Sequence, residues 1–237
     1  ISYNALIAGY AEHGKSEEAL KCLQKMQEKQ IPMDAVTFVW SLKACANMGA
    51  LDEGIRIHME IARMGWLEWN VVIGSMLVEM YAKCYSLTKA QEVFDRLPVQ
   101  DVVAWSTLIS GYGHLGEIEA VFGIFEKMRI AGRKPDFITL ISVLNACSQS
   151  LLVEKGQLLF ESIKEDHDTV PTIEHHTCMI GLLGQAGHIE SAIEMVEDMP
   201  MCPDTGIWHC LLDVCTKWGN FELGKRTFVK AMQLDDR

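Results

Sequence analysis

The chain has 237 residues, 49% of them apolar, and a formal net charge of −11 from 21 Lys and Arg against 32 Asp and Glu. That composition fills a core, and its acidity argues against bulk, sequence-independent nucleic-acid binding, which depends on cationic surface, though not against a local polar groove. No apolar run approaches the roughly 20 residues needed to cross a bilayer, so no membrane partner is expected.

The first stretch, "ISYNALIAGYAEHG", has no basic n-region and no signal-type apolar block, so no targeting peptide is read there. It opens in mid-pattern, the expectation for a piece of a longer precursor. Residues 2–13 carry Tyr3, Leu6, Ile7 and Tyr10 at helical spacing, and Gly14 breaks the pattern. Residues 16–29 form a second helical pattern through Ala19, Leu20, Leu23 and Met26, with Glu17 and Glu18 in the first turn, where the helix dipole favours anions. Pro32 in "IPMD" stops it.

From there the chain echoes itself. "LKACANMGALDEG" at 42–54 returns as "LNACSQSLLVEKG" at 144–156, so that Leu42, Ala44, Cys45 and Gly54 match Leu144, Ala146, Cys147 and Gly156, 102 residues on. At the same offset "SYNALIAGYAEHG" meets "AWSTLISGYGHLG", Asp34 meets Asp136, Ala90 meets Ala192, and Pro98 meets Pro200. The 102-residue repeat subdivides into three units of 35, 36 and 31 (32 in the last): residues 1–34 (lacking a first position), 35–70, 71–101, 102–136, 137–172 and 173–204, with a partial seventh at 205–237. Periods of this size mean a stacked array. Each unit reads as an antiparallel helix pair that cannot cover its apolar face alone, which predicts an all-α, right-handed α-solenoid whose first helices line a concave face. Met26, Met128, Tyr10, Tyr112, Trp105 and Phe125 then belong to packing between helices.

The eight cysteines include no C-x-x-C, and they read as reduced thiols behaving as small hydrophobes. Neither His175, His176 and Cys178 nor Cys202, His209 and Cys210 gives four ligands at metal-site spacing. There is no H-x-E with P-C-x-x-C, no Gly-rich phosphate loop and no Ser/His/Asp set, so the chain reads as non-catalytic and no cofactor is implied.

A tetratricopeptide array would keep one unit length and a W-x2-L-G-x2-Y signature, which is absent. The alternation of 35, 36 and 31 resembles the pentatricopeptide repeat family, and in particular its plant subgroup built from P, L and S triplets. "ISYNALIAGYAEHGKSEEALKCLQKMQEKQIPMD" is similar to a P-type unit, "AVTFVWSLKACANMGALDEGIRIH" to an L-type and "SMLVEMYAKCYSLTKAQEVFDRLP" to an S-type. "PTIEHHTCMIGLLGQAGHIESAIEMVEDMPMCPD" followed by "IWHCLLDVCTKWGNFELGKR" looks like a last S-type repeat running into the E-type extension of RNA editing factors.

The resemblance implies one nucleotide per unit, read by the fifth residue of the first helix and the last residue of the unit. Those base-reading pairs are Asn4 with Asp34, Ser75 with Asp101, Ser106 with Asp136, and Thr177 with Asp204. An amide or hydroxyl bonds the base edge and the Asp buttresses it; Asn with Asp implies uracil, Ser or Thr with Asp guanine. For Asp34 and Asp136, capping the next helix is the alternative use. The L-type pairs, Val39 with Asn70 and Ile141 with Thr172, lack a polar fifth residue. Second residues Ile1, Val36, Val72, Val103 and Ile138 are expected to clamp the base faces; Glu174 and Gly206 break that series. At the phosphate-contacting place near the end of the first helix only Lys83 is cationic, against Glu12, Asn47, His114, Gln149 and Gln185.

The implied read is U-x-G-G-x-(G), 5′ to 3′. The implied function is recognition of single-stranded RNA from a mitochondrial or chloroplast transcript for C-to-U editing, with accessory editing-factor proteins and a deaminase supplied in cis or in trans as partners. A structural subunit of a large organellar assembly, or a splicing or stability factor, remains the alternative.

Overall fold

The computed structural model describes residues 2–66, 70–165 and 170–235, without the side chains of 165 and 230–235. Among them the secondary structure is α-helical, and the helices fall into hairpins. These are α1 (Tyr3–Glu12) with α2 (Ser16–Glu28), α3 (Ala35–Met48) with α4 (Leu51–Arg63), α5 (Val71–Lys83) with α6 (Leu87–Arg96), and α7 (Val102–His114) with α8 (Ile118–Ile130). There follow α9 (Phe137–Gln149) with α10 (Val153–Glu165), α11 (Ile173–Gln185) with α12 (Ile189–Glu197), and α13 (Thr205–Trp218) with α14 (Phe221–Asp235). The chain divides into two units, one of Ile1–Leu115 with Glu119–Thr139 and one of Gly116–Ile118 with Leu140–Arg237.

In the first unit α1, α3, α5 and α7 stack side by side, and the last three are also packed by the second helix of the hairpin before them: α2 on α3, α4 on α5, α6 on α7. The second unit repeats the scheme, with α11 against α13, α10 on α11 and α12 on α13. A first helix such as α3 is therefore flanked by four helices (α1, α2, α4 and α5) and a second helix such as α4 by two (α3 and α5). Burial follows: α3 buries Thr37, Phe38, Ser41, Leu42, Ala44, Cys45 and Ala46, whereas α4 buries only Gly54, Ile57 and Ile61. Each fully covered aliphatic or aromatic side chain is worth about 1.5–3 kcal/mol, so the first helices carry most of the stabilisation.

The 102-residue echo now has physical content. Leu42, Ala44 and Cys45, like Leu144, Ala146 and Cys147, are buried at the centre of a first helix. Burial pushes the Cys45 thiol up to about 12 and the Cys147 thiol up to about 11, so both stay protonated and behave as apolar groups. Gly54 and Gly156 mark where a second helix meets the next first helix: a Cβ on Gly54 would collide with the Met80 thioether, and one on Gly156 with Leu182 Cδ2.

The turn after each first helix needs a left-handed residue. Gly14, Gly49, Gly116, Gly187 and Gly219 supply it, with φ between 65° and 88°, but Tyr85 (φ 57°) and Leu151 (φ 54°) stand at the other two. A side chain there costs roughly 1–2 kcal/mol. All six prolines lie in the connections from a second helix to the next first helix, where no backbone N–H is needed.

His175 and His176 are buried; His176 Nδ1–H donates to the Thr172 carbonyl at 2.8 Å, and its ring meets Phe160 edge-on, centroids 5.0 Å apart. No group of three or more His, Cys, Asp or Glu is placed to hold a metal among the described residues.

Candidate nucleic-acid interface

Each first helix starts on the last residue of the unit before it. Asp34 caps α3 by accepting from the Thr37 N–H at 2.9 Å, Asn70 caps α5 through Ile73 N–H at 3.1 Å, and Asp101 caps α7 through Ala104 N–H at 2.8 Å. Asp136 does the same for Thr139 N–H at 2.8 Å and Asp204 for Ile207 N–H at 3.0 Å. The fifth residue lies one helical turn further on, on the face presented to the cap of the next unit.

At the first pair both partners meet. Asn4 Nδ2–H donates to Asp34 Oδ2 at 2.8 Å, while Asp34 Oδ1 keeps its capping role, so one carboxylate does both jobs. Thr37 completes the cluster: its hydroxyl donates to Asn4 Oδ1 at 2.7 Å, with Asp34 Oδ1 as a second acceptor at 2.9 Å, and it accepts from the Asp34 N–H at 3.2 Å. Desolvation raises the Asp34 pKa, but the hydrogen bonds from Thr37 and Asn4 outweigh it and hold the carboxyl below its ordinary value. The amide of Asn4 is thus fixed in orientation with one N–H and one lone pair to spare.

The second pair also meets. Ser75 Oγ lies 2.8 Å from Asp101 Oδ1 and 3.0 Å from the Val71 carbonyl, two acceptors for one hydrogen. The third and fourth pairs are arranged differently. Ser106 donates to the Val103 carbonyl at 3.1 Å while Asp136 accepts from Thr139 Oγ1 at 2.7 Å, and Thr177 donates to the Ile173 carbonyl at 2.8 Å while Asp204 only caps. In these two the hydroxyl hydrogen is taken by backbone.

The clamp positions form an exposed apolar series: Val36 is 48% exposed, Val72 60%, Val103 51% and Ile138 54%. Ile1 lies outside the described residues. Val103 and Ile138, together with Ser106 and Asp136, line one end of a trough of about 460 Å³ that follows α7 within the first unit. Its other end is lined by Lys83, Tyr85, Leu87, His114 and Leu115. Lys83 does not present a bare charge there, because its ammonium lies 2.7 Å from Glu79 Oε1, one turn back on α5.

Thr37 and Thr139 are further residues of this interface, and the sequence signal for both is Asp-x-x-Thr, the capping-box spacing. Replacing Thr37 by valine is expected to free the Asn4 amide and lower stability by about 1 kcal/mol, read by urea denaturation, as one buried hydroxyl and its bonds are lost. Thr139→Val, with no fifth residue attached, should cost stability alone.

The family described as "PPR repeat family" matches residues 1–47 and 100–149, and "PPR repeat" matches 174–202. The chain belongs to the pentatricopeptide repeat family. It is similar to the Arabidopsis thaliana pentatricopeptide repeat-containing protein CRR2, chloroplastic, at 41% identity over 239 residues, covering 100% of this chain and 36% of that protein. It is also similar to the Arabidopsis protein At2g03880, mitochondrial, at 34% identity over 235 residues, covering 99% of this chain and 37% of that one. The pentatricopeptide chain thus spans about a third of the length of these relatives, which are organellar proteins of chloroplast and mitochondrion. Among solved structures, maize PPR10 shares the fold at a TM-score of 0.66 and 22% identity, over 98% of this chain and 34% of that one. PPR10 in complex with an 18-nt psaJ RNA element does so at 0.63 and 19%, over 98% and 39%.

Proposed function

We propose that this pentatricopeptide repeat chain is a sequence-specific adaptor for single-stranded RNA of an organellar transcript, reading one base per unit at the junction between hairpins. The observation that carries it is the Asn4–Asp34–Thr37 cluster. It locks an amide with a free donor and a free acceptor, the complement of the adjacent acceptor and donor on a uracil edge. At Ser106 and Thr177 the hydroxyl hydrogen goes to backbone, and at Ser75 to Asp101 or backbone, so each oxygen is left as an acceptor suited to the N–H groups of guanine. The exposed clamp series supports stacking, worth about 1–3 kcal/mol per base.

Holding a transcript needs no further chemistry, and the similarity to a protein solved with an 18-nt RNA favours a role in transcript stability, splicing or an organellar assembly. Site recognition for C-to-U editing is the second reading. It rests on the P, L and S alternation and on the wording of 171–226, a last S-type repeat running into an E-type extension, and it requires a deaminase and accessory factors. Met59, Met64 and Leu158 are exposed on and just after the L-type second helices, the surface such factors would use.

Fluorescence anisotropy with a short RNA carrying U-x-G-G-x-G against scrambled strings tests the adaptor. The matched string is expected to bind at least about tenfold tighter, with a shallow salt dependence because few cations face the groove. Equal affinities remove sequence readout; no binding at all, with stable recovery in a large complex, supports the scaffold.

A further inference from the structure

The trough along α7 has a second end that the base-reading scheme leaves unused. There Tyr85 occupies the left-handed turn between α5 and α6, at φ 57°, in a place that glycine fills at five of the seven equivalent turns. Backbone strain of this kind persists where the side chain is wanted for something else. Folding does not want it: the ring is 77% exposed, and its side chain makes no hydrogen bond or ring contact among the described residues. It nonetheless lines the same trough as Val103, Ser106 and Asp136. The charges beside it are already engaged. Glu79 holds the Lys83 ammonium, and His114 Nδ1–H donates to the Ser110 carbonyl at 2.8 Å. Holding power at this end must therefore come largely from something other than free cations, and an open aromatic face is what remains.

We infer that Tyr85 is a stacking platform for a base of the bound single strand, a sequence-tolerant contact that adds affinity at the trough's far end. This rests on the RNA reading above. A base of any identity stacks on an aromatic ring, so the contact strengthens binding without changing the letter read by Ser106.

Tyr85→Gly and Tyr85→Phe separate the roles. Glycine removes the ring and relieves the turn, so the variant is expected to melt at a higher temperature than the parent and yet to bind RNA about tenfold more weakly. The loss should be equal for matched and scrambled strings. Phenylalanine keeps the ring and should leave both affinity and melting temperature unchanged. Wild-type affinity in the glycine variant overturns the inference while leaving the RNA reading intact; so does a phenylalanine variant that loses as much as glycine, since the hydroxyl would then be the contact. A parent protein that binds neither string removes the RNA reading itself and this contact with it.

Discussion

Gly184→Ala is expected to destabilise the protein by about 2–3 kcal/mol, the largest effect of a Cβ added at any of its glycines. Gly184 is buried on α11, facing α13, and a Cβ there would fall inside the van der Waals envelope of Val214 Cγ2, with Cγ1 only 3.0 Å and Cβ 3.1 Å away. Valine branches at Cβ and has one strongly preferred rotamer in a helix, so it cannot swing aside. Moving α13 instead breaks a second contact, since Trp218 Nε1–H donates to the Gly184 carbonyl at 2.7 Å. The control is Gly54→Ala, where the colliding atoms belong to the flexible Met80 side chain and the cost should stay below about 1 kcal/mol. Urea denaturation gives both values. Hydrogen exchange should place the Gly184→Ala damage in α11 and α13, because a repeat's stability is set by its neighbours.

Ser106→Asn is expected to change the letter read by its unit. At the homologous place Asn4 reaches Asp34 at 2.8 Å, whereas Ser106 is satisfied by the Val103 carbonyl and leaves Asp136 to Thr139. The longer side chain has the trough to grow into and brings both a donor and an acceptor to the base. The preference at the fourth nucleotide should move from G to U by about tenfold in relative affinity, the worth of roughly one net hydrogen bond, 1.4 kcal/mol. Anisotropy on a pair of RNAs differing only at that nucleotide measures it, and the third nucleotide, assigned to Ser75, is the internal control. An unchanged preference would disconnect Ser106 from recognition.

Helical hairpins stacked in series were legible because hydrophobic spacing and the 102-residue echo are properties of the local sequence. Gly184 was not. Its counterpart one triplet earlier is Ala82, so the echo suggests that a methyl is tolerated; only the facing Val214 forbids it, and that contact joins residues 30 apart. The site shows the same division. The fifth and last residues could be named from the repeat, but residue type does not decide whether they touch: asparagine spans the gap to Asp34 and the Ser75 hydroxyl reaches Asp101, whereas Ser106, with the same side chain as Ser75, and Thr177 turn back to their own helices. Capping need not exclude holding the fifth residue at Asp34, because a carboxylate has two oxygens: Oδ1 accepts from the Thr37 N–H and Oδ2 from the Asn4 amide.

That double use limits how such an array can be rewritten. The six junction residues are Asp34, Asn70, Asp101, Asp136, Thr172 and Asp204, all of them types that favour a helix start. A designer recoding the array therefore works with a short alphabet at this place. Any letter outside it, alanine or lysine for instance, would loosen the first turn of the hairpin that follows and, under the proposed one-base-per-unit reading, alter the message as well.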